Sequence, residues 1–232
     1  MPLSCYVCSV NIGIRPQDVY DVNMNHSSPS ARDSYHHGNL REALLEAGLQ
    51  ALESGEPEAL SLRMLAREAG ATANAAYRHF ADKEDLLNAL AAEGFRRFAA
   101  RQQAAVAGLA TPDERLRASG LAYIAFAQTE PGLYRLMFSR LDRAAAHAEL
   151  QTHSRDALAV LLEAAAAQLS LPPEDDRVRV AAAACWSLVH GLSALAMGGQ
   201  LDVFGMDRQT LIERVMALPS LVARRTDAPD AR

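Results

Sequence analysis

Apolar residues recur at intervals of three and four along almost the whole chain, and the alternation of two that marks a strand is almost absent. This spacing places the apolar side chains on one face of an α-helix, so it predicts an all-α protein. Glycine, proline and capping residues divide the pattern into about nine helices. The predicted helices span about 38–54, 61–69, 73–80, 83–107, 111–130, 133–138, 141–169, 172–198 and 207–222.

Composition narrows the class of protein. Half of the 232 residues are apolar and 22% are charged, which excludes a chain that is disordered throughout. We find no run of about 18 apolar residues without charge, so we expect no membrane span. The net charge of −5 argues against general binding of nucleic acid, although it is compatible with a small basic patch. Lys83 is the only lysine in the chain.

The N-terminal residues show little of the three- and four-residue apolar spacing that predicts a helix. Cys5 and Cys8 have the spacing of a metal or redox pair, but no second pair follows, and with Cys185 they make an odd set typical of a reducing cytoplasm. The start lacks the charged region and the cleavage site of a secretory signal. We expect residues 1–33 to be a disordered leader or arm, and Met24 is an alternative translation start. Residues 225–232 are expected to form a disordered tail.

The segment 61–83 has the layout of a helix-turn-helix, two short helices joined by a tight turn with a glycine. Ser61 and Thr72 are suited to cap the two helices, and Gly70 suits the turn between them. Apolar side chains of both helices can share a core, which leaves the start of the second helix facing outward. The outward residues expected to meet base edges are Ala73, Asn74, Ala75 and Arg78, and those expected near phosphates are Tyr77, His79 and Lys83.

This segment resembles the DNA-binding domain of the tetracycline-repressor (TetR/AcrR) family of bacterial transcriptional regulators. The resemblance covers about residues 36–90 and rests on Gly70, Thr72, the run Tyr77-Arg78-His79-Phe80 and the run Lys83-Glu84-Asp85-Leu86-Leu87. It implies phosphate contacts by Tyr77 and Lys83, base contacts by Arg63 and Asn74, and a capping role for Thr72. Ala73, Ala75 and Ala76 replace larger side chains common in the family, which shifts the expected readout towards Asn74, Arg63, Arg78 or DNA shape.

The C-terminal part resembles the WHG type of C-terminal domain in the same family. The resemblance rests on residues 130–138, EPGLYRLMF, and on Trp186, His190 and Gly191. It implies a homodimer paired through the last two long helices and an inducer pocket in the bundle. The expected domains are therefore a helix-turn-helix domain at 34–85 and a ligand-binding and dimerisation domain at 86–224.

Candidates for the pocket wall are aromatic, methionine and histidine side chains of the bundle. They are Tyr123, Phe126, Tyr134, Met137, Phe138, Trp186 and His190. The alternative interpretation of the same residues is an ordinary core with a packed tryptophan and a histidine whose hydrogen bonds are satisfied. Gly191 is expected to permit close approach of helices, within the chain or across a dimer. His147, Glu149 and His153 do not share one helix face, so a solvated surface is favoured over a metal site.

The leading hypothesis is a cytoplasmic, dimeric repressor that binds a near-palindromic operator in double-stranded DNA and is released by a small-molecule inducer. No other cofactor, no metal and no membrane partner is expected. Two alternatives stay open: a helical enzyme or metal-binding protein without DNA binding, and a small-molecule-binding bundle whose DNA-binding head has decayed. Residues 32–94 carry six basic and eleven acidic side chains. We therefore expect few phosphate contacts and a shallow dependence of DNA binding on salt.

Overall fold

The computed structural model describes residues 40–55 and 57–218, and within them it contains nine α-helices and three short 3-10 helices. This agrees with the predicted all-α class. The α-helices are α1 (Leu40–Ser54), α2 (Leu62–Glu68), α3 (Ala73–Ala76), α4 (Lys83–Val106), α5 (Pro112–Thr129), α6 (Pro131–Ser139), α7 (Ala148–Leu169), α8 (Asp176–Met197) and α9 (Arg208–Met216). The 3-10 helices are Pro57–Ala59, Leu141–Ala146 and Gln200–Phe204.

Side-chain caps fix where several helices begin. The Asp82 carboxylate accepts the backbone N–H of Asp85 at 2.8 Å and so starts α4. At the start of α5, Thr111 and Glu114 form a reciprocal capping box, and Pro112 occupies the first turn, where its missing N–H costs nothing. These beginnings could be predicted because capping residues act within three positions of the helix start.

Four predicted helix ranges need correction. The helix expected from 172 begins at Asp176, and Asp175 is its cap. The helix expected over 73–80 ends at Ala76, because the N–H groups of Arg78 and His79 bond three residues back and tighten the chain into turns. The single helix expected over 141–169 is a 3-10 helix followed by α7, since His147 has an extended backbone and its Nδ1 caps the N–H of Leu150 at 3.3 Å. The last helix ends at Met216, and residues 219–222 lie outside the described part.

We call residues 40–85 the head and residues 86–218 the body. The described residues belong to one compact unit. Its main hydrophobic core runs from Leu44 in α1 to Ile212 in α9, and a small second cluster lies between α7 and α8. Helix α4 belongs to both parts, because it begins in the head at Lys83 and continues into the body as far as Val106. The leader 1–33, the Cys5 and Cys8 pair and the tail 225–232 lie outside the described residues.

Helix α8 is long and strongly apolar. By length and composition alone it is long and apolar enough to cross a membrane, with a mean hydropathy of 1.6 over its most apolar window. Only 28% of that window is buried inside the chain. Its exposed residues include Val180, Ala183, Ser187, Gly191, Ala194 and Leu195. Much of its apolar face therefore has no partner among the described residues.

Candidate functional site

The turn between α2 and α3 is built by a glycine and a threonine. Gly70 adopts a left-handed backbone (φ +67°), and the N–H groups of Gly70 and Ala71 bond the carbonyl oxygens of Arg67 and Ala66. The Thr72 hydroxyl then accepts the N–H of Ala75 at 3.2 Å. The turn thus ends α2 and starts α3 within three residues, which sets the angle between the two short helices.

The outward face of the head carries polar and cationic side chains without intramolecular partners. Arg63, Asn74 and Arg78 are exposed, as is His79, and no hydrogen bond or ion pair holds them within the described residues. Tyr77 is 45% exposed beside them. Ala73 and Ala75 are half-buried rather than fully outward, since α3 is only four residues long and lies close to the core residue Ala76. The exposed groups are the kinds that bind bases and phosphates.

Lys83 is tied to the loop that follows α1. Its Nζ donates a hydrogen bond to the backbone carbonyl of Glu58 at 2.6 Å. An ammonium group has three donors, so this bond leaves two N–H groups for another acceptor. The bond therefore holds the ammonium in place next to the exposed face.

Acidic side chains of the head are turned towards the body. Glu84 accepts hydrogen bonds from Arg140 and Arg143, and the bond from Arg140 is the main reason that the pKa of Glu84 lies below its ordinary value. Asp85 lies 3.4 Å from His147 Nε2. Part of the head's acidic excess is thus neutralised at the contact with the body, which a count of charges along the sequence could not reveal.

Arg41 is not available as a DNA contact in the described conformation. Its Nη2 donates to Glu149 Oε2 at 2.7 Å, and its guanidinium lies 5.5 Å from the centre of the Phe80 ring. Arg32 and the histidines at 26, 36 and 37 lie outside the described residues.

Two half-open cavities of the body share part of their lining. One, which we call the α5–α8 cavity, has a volume of about 260 Å³, and the other, the α4–α7 cavity, has a volume of about 180 Å³. Both are lined by Gln102, Tyr123, Leu161 and Trp186, so these four side chains form the shared wall.

The structure divides the predicted pocket residues into two sets. Tyr123 and Trp186 line both cavities, and Phe138 lines the α4–α7 cavity. The other four lie behind this wall and line neither cavity: Phe126, Tyr134, Met137 and His190. Phe126 packs under the guanidinium of Arg101, and Met137 packs against Gly94 of α4.

Two polar groups of the wall and two behind it bond to one another. The Trp186 N–H donates to the Tyr123 hydroxyl at 3.2 Å, and the hydroxyls of Tyr123 and Tyr134 each lie 2.8 Å from His190 Nδ1. The two hydroxyl oxygens are 3.1 Å apart. Burial raises the pKa of Tyr123 and of Tyr134 and lowers that of His190, so all three groups are neutral near pH 7.

Sequence reasoning missed Gln102 and Ser119. Gln102 is only 4% exposed, its Nε2 donates to Ser119 Oγ at 3.0 Å, and its Oε1 has no hydrogen-bond partner within the described residues. A signal was present in the sequence, because Phe95, Phe98 and Gln102 fall at helical spacing on one face. A glutamine at a core position of an amphipathic helix is unusual enough to be a candidate for binding.

The three residues weighed as metal ligands have separate partners. His147 caps α7 and faces Asp85, Glu149 pairs with Arg41, and His153 lies 3.6 Å from Asp156. In the part of the chain that the structure describes, no group of three or more His, Cys, Asp or Glu side chains is placed to hold a metal ion.

Two family models match the chain, and together they span most of the described residues. Residues 44–90 match the model of bacterial regulatory proteins of the tetR family. Residues 116–218 match a tetracyclin repressor-like C-terminal domain. No curated protein matches.

Solved structures show the same fold. A protein of unknown function from Rhodococcus sp. RHA1 is 30% identical, with a TM-score of 0.69 over 79% of this chain and 95% of that one. A bacterial regulatory protein in the tetR family from Rhodococcus RHA1 is 19% identical, with a TM-score of 0.56 over 82% of this chain and 99% of that one. The fatty acid degradation regulator FadR from Bacillus halodurans is 17% identical, with a TM-score of 0.60 over 78% and 94%.

The head, the body and the family models agree on one assignment. The motif residues of the head lie on a capped helix-turn-helix, and the body is the all-helical domain that the second family model describes. The chain belongs to the TetR family of DNA-binding transcriptional regulators and is not an enzyme.

Proposed function

We propose that the protein is a dimeric repressor that leaves its operator when a small molecule binds the body. Membership of a family of soluble DNA-binding regulators implies a cytoplasmic location, and we extend this to the nucleoid when DNA is bound. The observation that carries the proposal is the course of α4. This helix carries Lys83 beside the exposed face of the head and Gln102 in the cavity wall. The two residues are about 28 Å apart along the helix axis.

The reading face supports a division of roles. We assign base contacts to Asn74 and Arg63, since an amide suits adenine and a guanidinium suits guanine. Ala73 and Ala75 are suited to contact thymine methyl groups, and Thr72 positions the helix as its cap. Phosphate contacts are assigned to Tyr77, His79 and Lys83, and Arg78 is assigned to base edges. Because few cations are free on this face, non-specific binding should be weak and its salt dependence shallow.

Three variants test this division. Replacing Tyr77 or Lys83 with alanine removes a phosphate contact, so operator DNA and scrambled DNA should lose affinity by about the same factor. Replacing Asn74 with alanine should reduce the preference for the operator, by about 1–3 kcal/mol for a lost two-bond contact with adenine. Fluorescence anisotropy with DNA from the protein's own upstream region measures both. Equal behaviour of the three variants would refute the assignment.

The face of α8 supports the homodimer. Val180 and Leu195 are exposed apolar residues, and Gly191 lies between them. A Cβ added at Gly191 would meet nothing within 4 Å, so this glycine does not serve close packing within the described protomer. Small and apolar side chains along a helix are suited to a second helix at short distance. We therefore place the dimer interface on this face of α8, as the family resemblance implies for the last long helices.

A matched pair of variants tests the interface. Ala194→Glu places a carboxylate on the α8 face, whereas Ala104→Glu places one on an exposed position of α4. Analytical ultracentrifugation should find a dimer for the wild type and for Ala104→Glu, and mainly monomer for Ala194→Glu. A monomeric wild type, or a dimer that persists in Ala194→Glu, would contradict the proposed interface.

Contacts between head and body support a ligand response. The head is joined to the body by the Glu84 pairs with Arg140 and Arg143, and by the close packing of Gly132 in α6 against α1. A ligand that favours one arrangement of α4 and α7 can shift the orientation of the head only through its different affinity for the two arrangements. An inducer should therefore lower operator affinity, and the operator should lower inducer affinity by the same factor.

A further inference from the structure

The wall shared by the two cavities contains an amide with an unused acceptor. Gln102 and Ser119 are both almost fully buried, at 4% and 2% exposure, and they bond to each other. The bond uses the Gln102 Nε2 and leaves the Oε1 without a partner within the described residues. Gln102 lines both cavities and Ser119 lines the α5–α8 cavity, so the unpartnered oxygen is buried in a side chain that borders both hollows.

An unpartnered buried carbonyl is costly for the folded chain. A polar group removed from water without a hydrogen bond costs about 1–3 kcal/mol, which is why such groups are rare in folded proteins. A hydrogen-bond donor that enters the cavity would recover that energy. A bound molecule without a donor would instead cover the oxygen and keep it unpaired.

The remaining lining favours an uncharged, mainly apolar occupant. The charged residues of the lining are Asp113 and Arg117 in the α5–α8 cavity and Arg155 in the α4–α7 cavity, and all three are exposed. The inner wall consists of aromatic and aliphatic groups such as Phe98 and Leu161. A charge buried among them would lack a counter-ion, which is strongly unfavourable.

We propose that the body binds a neutral, mainly apolar molecule with a hydroxyl group, and that this hydroxyl donates its hydrogen bond to Gln102 Oε1. The inference rests on the proposed function, because it names the chemical class of the inducer. Each cavity alone is below the lower end of the usual range for small-molecule sites, about 300–1,000 Å³, and the two together fall within it. The apolar part of the molecule therefore extends along both sides of the Gln102 wall.

Three simple probes of equal carbon number separate the features of this class. Octan-1-ol has the apolar chain and the donor, its isomer 1-methoxyheptane has an oxygen without a donor, and octanoate carries a charge. The chain contains one tryptophan, Trp186, and this residue lines both cavities. Its fluorescence in the full-length wild-type protein reports binding of each probe. The alcohol should bind about tenfold more tightly than the ether or the carboxylate.

A matched pair of variants assigns the preference to one side chain. Gln102→Met keeps the length of the side chain and removes the amide, whereas Gln103→Met makes the same change on the exposed side of α4. The preference for alcohol over ether should disappear in Gln102→Met and persist in Gln103→Met. The comparison of probes in the wild type needs no variant, so it stands even if Gln102→Met fails to fold.

Each other outcome overturns the inference. Equal binding of alcohol and ether, tighter binding of octanoate, no binding of the alcohol up to its solubility limit, or a preference that survives in Gln102→Met would each do so. Operator binding measured on the same samples separates this test from the proposed function. Absent operator binding refutes the proposed function, whereas operator binding without a preference for the alcohol refutes the inference alone.

Discussion

The head and the body differ in the direction that their unusual polar side chains face: outward to solvent in the head, and inward between helices in the body. In the head, the exposed side chains of Asn74 in α3 and of Arg78 in the turn that follows have no partner within the described chain. In the body, Gln102, Tyr123 and His190 are turned inward, between long helices. Under the proposed function, DNA would meet the exposed side chains of the head, and a small apolar molecule would meet the cavity wall of the body. The two binding roles would then rest on polar residues that face opposite ways in one fold.

The largest expected effect tests whether the head and the body unfold together in one transition. Phe80 is 1% exposed in the common core, so Phe80→Ala should lower the free energy of unfolding by about 3–5 kcal/mol. Thermal unfolding followed by circular dichroism should show one transition at a lower temperature. Tyr77→Ala, three residues away and 45% exposed, should leave the transition near its wild-type position while weakening DNA binding.

In Phe80→Ala, a separate unfolding transition of the head at a lower temperature than that of the body would contradict this prediction. It would mean that the head melts alone and that the continuous core from α1 to α9 does not couple the two parts.

A smaller effect is expected where head and body touch most closely. A Cβ at Gly132 of α6 would lie 2.3 Å from the backbone oxygen of Leu52 in α1, and backbone cannot yield as a side chain can. Gly132→Ala should therefore destabilise the chain by about 1–3 kcal/mol and weaken operator binding. Urea unfolding measures the first effect and anisotropy the second.

Gly191→Ala is the control for that change, since its added methyl meets open space in the protomer. Any loss of stability in Gly191→Ala should depend on protein concentration, because it can act only through the dimer. If Gly132→Ala is as stable as the wild type, the close packing of α6 on α1 does not constrain the head.

The ion pairs between head and body should contribute less. Glu84 is half-exposed, so Glu84→Gln should cost no more than about 1 kcal/mol. The hydrogen bond from Arg140 lowers the pKa of Glu84, so the contribution is complete above the ordinary pKa of about 4.5 and disappears as the pH falls through the lower value of the folded chain. Wild type and Glu84→Gln should differ in unfolding free energy at pH 7 and converge in strong acid. A constant difference would contradict the assignment.

The smallest expected effect concerns His190. Burial lowers its pKa below 6.5, so the unfolded chain takes up its proton first and the folded chain loses stability as the pH falls from about 6.5 towards the lowered value. Between pH 7.5 and pH 5.5 the wild type should lose more unfolding free energy than His190→Gln, although the variant is the less stable at neutral pH. Equal losses would show that His190 titrates alike in both states.

The head could be predicted from sequence because its determinants are local. Thr72 caps a helix by reaching three residues ahead, and Gly70 acts through its own backbone angle. The run from Tyr77 to Phe80 places three exposed residues directly before one buried core residue. Short-range rules of this kind need no knowledge of the tertiary structure. Among the helix ranges, such rules failed where the chain tightened after Ala76 and where His147 interrupted the expected long helix. They also failed at the start of α8 and at the end of α9.

The body's cavity was less predictable because its wall comes from four helices. Gln102, Tyr123, Leu161 and Trp186 are separated by at least 20 residues each in the sequence, and their meeting depends on how α4, α5, α7 and α8 pack. Aromatic composition identified Tyr123, Phe138 and Trp186 but could not distinguish them from Phe126 and Met137, which lie behind the wall. Likewise, the count of acidic residues in the head could not anticipate that Glu84 pairs with Arg140.

The most direct test of the central claim is the binding of the full-length protein to DNA from its own upstream region and to a scrambled fragment of equal length. We predict a large preference for the natural fragment at low salt, and a similar small salt dependence for both fragments because few cations of the head are free. Equal binding of the two fragments, or no binding of either, would contradict the account that the exposed face of α3 reads an operator.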